Sequence, residues 1–125
     1  MLRFYKSFRY ALNGFLLLLK TERNFQIVAV CMVITLVVGY SLDYFHQHLS
    51  RFEWAVLWLA MGLVFVSEAL NTAIEKTLDV LHPSQNEGVG KAKDMAAAAT
   101  LVASTIAIIV GVYILLPRII AAFTL

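Results

Sequence analysis

The sequence predicts an all-α integral membrane protein: one amphipathic surface helix followed by three transmembrane helices. Two observations predict it. Apolar residues make up 61% of the 125-residue chain and its mean hydropathy is +0.79. A soluble globule of this size keeps too much surface in water to hide that much hydrocarbon. The apolar residues also gather into three stretches, two of bilayer length and a shorter one between them, which leaves one membrane domain, residues 1–125. Disorder is excluded, because disordered chains are poor in apolar residues. A net charge of +2 gives no footprint for nucleic acid. Cys31 is the single cysteine, so no intrachain disulfide can form, and it reads as a small apolar filler.

Residues 3–19 read as the surface helix. Phe4, Phe8, Ala11, Leu12 and Phe15 fall on one stripe, while Lys6, Arg9 and Asn13 point elsewhere. Such a helix lies in the membrane interface. A cleaved signal peptide is the competing reading. It fails because the run 15–19 is too short, Lys20 and Glu22 interrupt it, and no small-residue cleavage site follows.

The first span covers about 25–42. It carries no charge and reaches about 27 Å at the helical rise. The third covers about 95–116, or about 33 Å. The middle stretch, 54–67, reaches only about 21 Å. To complete a crossing of about 52–74 it must carry Glu68 and Asn71 into the bilayer. Residues 82–88, His-Pro-Ser-Gln-Asn-Glu-Gly, have the composition of a turn.

Basic residues set the orientation. Arg3, Lys6, Arg9, Lys20 and Arg23 precede the first span, and Lys76, Lys91 and Lys93 separate the second from the third. The opposite side holds only Arg51 and Arg118. The N-terminus and the second loop are therefore expected in the cytoplasm, with the 43–53 loop and the C-terminus outside. Tyr40, Tyr44, Trp54 and Trp58 suit the outer aromatic belt. Asp43, His46 and His48 share the outer loop without a spacing that defines a metal site. Ala96 to Ala99, Ser104 and Gly111 permit close helix packing and suggest an oligomer.

Glu68, Asn71, Glu75 and Asp79 are spaced three, four and four apart, so they form one polar stripe on the second span. With the span starting at the outer interface, Glu68 lies roughly 9 Å inside the cytoplasmic boundary. An ionised carboxylate at that depth is costly unless it is paired, protonated or hydrated, and by default it marks function. A carboxylate so placed suits general acid–base work. Glu22, Lys93 and Asp94 flank the other spans at the depth of Glu75. Glu22 and Glu75 can face each other as a hard-cation site for magnesium, which takes few carboxylates and completes its shell with water and phosphate. Lys93 suits phosphate as a point charge. Gly88-Val89-Gly90-Lys91 is not a phosphate loop, because Gln85 holds the first glycine position and Ala92 the final Ser/Thr position.

The segment Glu68-Ala69-Leu70-Asn71-Thr72-Ala73-Ile74-Glu75-Lys76-Thr77-Leu78-Asp79 resembles the signature of the prokaryotic diacylglycerol kinase family, which includes undecaprenol kinases. Ala92-Lys93-Asp94 resembles its second motif, and Thr21-Glu22-Arg23-Asn24-Phe25 the segment before its first span. The resemblance runs from about Arg3 to Ile119. It implies a homotrimeric kinase in the bacterial cytoplasmic membrane that transfers the γ-phosphoryl of Mg-ATP to the hydroxyl of a membrane lipid alcohol. The active sites would lie between subunits. By resemblance, Glu68 is the catalytic carboxylate and Asn71 stands beside it. Glu22 and Glu75 are metal ligands. Arg3, Tyr10, Glu22, Glu75, Lys93 and Asp94 contact the nucleotide. Gln85 and Asn86 stand where one branch of the family has tyrosine and histidine, so no nucleotide role carries over to them. His82-Pro83 and Pro117 look more like the undecaprenol kinase branch, with diacylglycerol as the second substrate reading. The rival function is a small ion or proton-coupled carrier with Glu68 as relay. That reading calls for polar residues on several spans, and the first offers only Thr35 and the third only Thr100, Ser104 and Thr105.

Overall fold

A computed structural model describes residues 2–84 and 86–124. Gln85 lies outside the described residues. The chain is all helical among them: α1 (Leu2–Thr21), α2 (Arg23–Tyr44), α3 (Arg51–Leu81) and α4 (Glu87–Phe123). Three of these, α2, α3 and α4, are long and apolar enough to cross a membrane.

The helices outrun the apolar stretches that announce them. At 37 residues, α4 spans about 56 Å, well beyond a hydrocarbon core. It starts among polar residues, capped by Asn86 Oδ1, which accepts from the Val89 N–H at 3.1 Å. It also runs through Pro117. Proline removes a backbone donor and crowds the preceding turn. There the Arg118 guanidinium donates to the Ile114 carbonyl at 2.8 Å.

A single residue separates α1 from α2. Glu22 is extended (φ −105°, ψ 108°), yet its N–H still bonds the Leu18 carbonyl at 3.0 Å. Gln26 Nε2 reaches back to the Leu19 carbonyl at 2.9 Å and so satisfies an acceptor that the end of α1 leaves open. Three aromatic rings lock this elbow. Phe25, 1% exposed, meets Phe15 of α1 and Phe65 of α3 edge-on, at centroid distances of 5.5 and 5.0 Å. Such pairs each add about 0.5–1.5 kcal/mol beyond their buried area.

At the opposite end of the bundle from Glu22, α3 and α4 are joined through Glu53. Ser50 caps α3 in a capping box with Glu53, whose other oxygen accepts from the Arg118 guanidinium at 2.6 Å. This ties the start of α3 to the end of α4. In the loop before it, His46 adopts a left-handed conformation (φ 56°), and His48 Nδ1 lies 3.1 Å from Asp43 Oδ1. Beneath the loop, Leu42, Leu49, Leu57, Met61 and Ile114 form the apolar core. At the same level Tyr40 stacks on Trp54 at 4.6 Å.

α3 is the central element. Of its most apolar window 39% is buried, against 17% for α2 and 11% for α4, so the flanking helices present most of their apolar surface outward. An open apolar groove of about 550 Å³ runs between the three, bounded by residues such as Met32, Val38, Ala60, Val64, Ala107 and Leu115.

Candidate active site

Among the described residues, the polar and charged residues buried as a whole are three on α3: Glu68, Asn71 and Thr72, at 4, 5 and 6% exposure. One helical turn apart, Glu68, Asn71 and Glu75 point the same way, and Asn71 Nδ2 donates to Glu75 Oε1 at 3.1 Å. The stripe therefore descends from a buried carboxylate to a half-buried one at Glu75, and then to Asp79, whose side chain is 64% exposed. An apolar face cannot supply this gradient. It places an acid–base group in a dry setting and anionic groups in a wet one on the same rigid rod.

The other helices complete the cluster from their ends nearest the α3 stripe. The α1–α2 elbow delivers Glu22, whose carboxylate meets the Lys76 ammonium of α3 at 3.1 Å and accepts from the Thr21 hydroxyl at 2.7 Å. The Thr21 hydroxyl, and then Lys76, hold the Glu22 carboxyl below its ordinary value. Glu22 and Glu75 both lie close enough to Glu68 to act on its charge, and the Asn24 side chain stands beside it. From α4, Lys93 pairs with Asp79. A hollow of about 540 Å³ opens next to this pair, bounded by Asp79, His82, Pro83, Asn86, Val89 and Lys93.

Asn71 carries a further signal. Its Oδ1 is buried and has no hydrogen-bond partner, as is also true of Thr100 Oγ1 on α4. Buried polar atoms in native proteins are nearly always satisfied, so an unmet amide oxygen between Glu68 and Glu75 marks a place for another group. The donor types suit a hard cation: the Glu75 carboxylate is hydrogen-bonded to the side chain that carries the free amide oxygen, and the Glu22 carboxylate lies in the neighbourhood of Glu68. No three acidic, His or Cys side chains among the described residues cage an ion by themselves. Magnesium does not require such a cage, since it keeps water and phosphate oxygens around one or two carboxylates.

The single chain thus brings together Glu68, Asn71, Glu75 and Glu22, with Lys93 one step away against Asp79. Asp94 is exposed on the same turn of α4 as Lys93. Arg3 and Tyr10 are not brought to the cluster. They lie exposed on α1, about 28 and 18 Å along the helix from Glu22. Sequence reasoning overlooked Lys76, treating it only as a loop charge. It also overlooked the Phe15–Phe25–Phe65 lock that sets Glu22 against α3. Lys76 follows Glu75 directly, and a cation beside a suspected ligand was the available signal.

Comparison with known proteins gives a consistent set of matches. Residues 9–115 match the family described as prokaryotic diacylglycerol kinase. The chain is 39% identical over 116 residues to the undecaprenol kinase of Bacillus subtilis (strain 168), covering 93% of this chain and 90% of that one. It is 40% identical over 112 residues to a diacylglycerol kinase of Synechocystis sp., covering 89% of this chain and 61% of the relative. To a diacylglycerol kinase of Pseudomonas aeruginosa it is 34% identical over 107 residues, covering 86% and 83%.

Proposed function

The chain belongs to the prokaryotic diacylglycerol kinase family and is a lipid kinase, and from that premise we propose that it moves the γ-phosphoryl of Mg-ATP onto the hydroxyl of a membrane lipid alcohol. The product is undecaprenyl phosphate if the alcohol is undecaprenol, or phosphatidic acid if it is diacylglycerol. Undecaprenol comes first, supported by His82-Pro83, by Pro117 and by the near full-length match to an undecaprenol kinase.

One observation carries this reading: the polar stripe of α3 joins a buried carboxylate to exposed anionic and cationic groups at one end of the apolar helices. A lipid alcohol offers its hydroxyl at the interface, whereas ATP cannot enter hydrocarbon. A kinase for such a pair has to work across two depths, and this stripe connects them. A carrier calls for polar side chains along a path through the bundle, but the buried polar and charged residues among those described, Glu68, Asn71 and Thr72, gather within two turns of α3.

Glu68 takes the proton of the lipid hydroxyl as its oxygen attacks the γ-phosphorus and the bond to the β–γ bridging oxygen breaks, releasing ADP. Asn71 orients Glu75 through its amide nitrogen and offers its free oxygen to the reacting groups. Glu22 and Glu75 would hold magnesium, which would supply charge neutralisation for the transferring phosphoryl group. Lys93 turns from Asp79 to the phosphates, and Asp94 contacts the nucleotide. Arg3 and Tyr10 reach the nucleotide of a neighbouring subunit in a homotrimer, which accounts for their distance from the cluster within one chain. The enzyme sits in the bacterial cytoplasmic membrane with its N-terminus and active site on the cytoplasmic side.

The test uses purified protein in micelles with magnesium and γ-labelled ATP, offering undecaprenol and diacylglycerol side by side. Label enters a lipid with the native protein and is lost with Glu68→Gln, while oligomer size and helical content stay native. Turnover preserved in that variant removes Glu68 as the base. Label in neither lipid removes both substrates.

A further inference from the structure

Lys76 has no task in the reaction as written, yet its position is specific. Its side chain is 63% exposed and its ammonium lies 3.1 Å from Glu22 Oε1. A surface ion pair of this kind adds little to stability, so what matters is where the cation sits. Glu22 is the single extended residue between α1 and α2. Its other polar partner, Thr21, is its neighbour in sequence. Lys76 reaches it from α3, one residue beyond Glu75.

We propose that Lys76 is a placeholder cation, which holds the Glu22 carboxylate toward Glu75 while no metal is bound and is displaced when a divalent ion takes its place. This rests on the reading of Glu22 and Glu75 as the magnesium ligands. Magnesium binds oxygen at roughly 2.0–2.1 Å. An ammonium hydrogen-bonded to the same oxygen would then stand within a few ångströms of a doubly charged ion, and the two repel. One of them must leave. The lysine can do so readily, because its head is strongly hydrated and its four-carbon stem flexible. Without it, the Glu22 carboxylate keeps only Thr21, its neighbour in sequence, and nothing on α3 holds it. The pair therefore keeps the ligands together at the expense of free-metal affinity.

The experiment measures binding of Mn²⁺ alone, by electron paramagnetic resonance, to the full chain in micelles without nucleotide. The variants are Lys76→Met, Lys76→Arg and Glu22→Gln, with helical content and oligomer size as controls. Lys76→Met is expected to bind Mn²⁺ about three- to tenfold more tightly than the native chain, the scale of one screened charge repulsion. Lys76→Arg, which keeps the charge, stays near the native value, and Glu22→Gln binds far more weakly. Unchanged or weaker binding by Lys76→Met, with Glu22→Gln still impaired, overturns the placeholder and leaves the metal site standing. Native binding by Glu22→Gln, or no binding by any form, overturns both.

Discussion

At the scale of the residue, Glu22 is where three helices meet. It ends α1, begins α2 and pairs with α3 through Lys76. The Thr21 hydroxyl and then the Lys76 ammonium favour its ionised form, so its folded value lies below the ordinary 4.5. Because the folded value is the lower one, these contacts stabilise the fold above the unfolded value and lose that effect as pH falls through the folded value. The expected acid midpoint of the Glu22 carboxyl carbon, followed by ¹³C NMR, is therefore below 4.5. Thr21→Val and Lys76→Met should each move it upward, and a native midpoint at or above the ordinary value would contradict the geometry. Metal dependence offers a second check. With one of two carboxylate ligands removed, Glu22→Ala and Glu75→Ala should each raise the magnesium needed for half-maximal turnover by at least about tenfold. Unchanged dependence in both variants would remove the proposed ligands.

At the scale of the element, the α2–α3 crossing depends on a glycine. A Cβ built on Gly39 would come within 2.6 Å of the Trp54 ring, against which the Tyr40 ring also packs. Two effects oppose each other in Gly39→Ala. Helix propensity gains about 1 kcal/mol, whereas overpacking a close contact costs about 1–3 kcal/mol. An indole so packed cannot retreat cheaply, so the substitution should lower the thermal midpoint in micelles. Adding Trp54→Phe removes the offending ring edge and should recover part of the loss, a coupling that a double-mutant cycle reads directly. An additive cycle would show that the crossing is not tight. This contact was hidden in the sequence, because Gly39 and Trp54 lie on different helices and no periodicity pairs them. The same reason hid the pairing of Lys76 with Glu22. The stripe on α3 was legible, because its residues repeat with the helix and stand out against an apolar background. The reach of α4 was only half legible. Hydropathy reports the part that hydrocarbon holds, and it is silent on a helix that continues from Glu87 through polar residues and past Pro117.

At the scale of the whole molecule, one chain encloses too little. Phe4, Phe8 and Tyr10 on α1 are 81, 63 and 68% exposed, and α2 turns Val30, Val33 and Val37 outward at 57–62%. Lipid can cover apolar side chains, but it gives Arg3 and Tyr10 no partner for the roles that family resemblance implies. A neighbouring subunit can. If each active site takes Glu68 from one subunit and Arg3 from the next, two inactive variants should rescue each other. Glu68→Gln chains supply intact Arg3, and Arg3→Ala chains supply intact Glu68. In trimers assembled at random from equal amounts, about a quarter of the sites combine the two intact halves, by the closed symmetry of a three-subunit ring. Mixed assembly should therefore restore about a quarter of native turnover, while each variant alone stays inactive. If every site were built within one chain, mixing would restore nothing, because no chain in the mixture carries both residues. That outcome would also return Arg3 to the role of a surface charge, and the exposed face of α1 would then be left to the membrane interface alone.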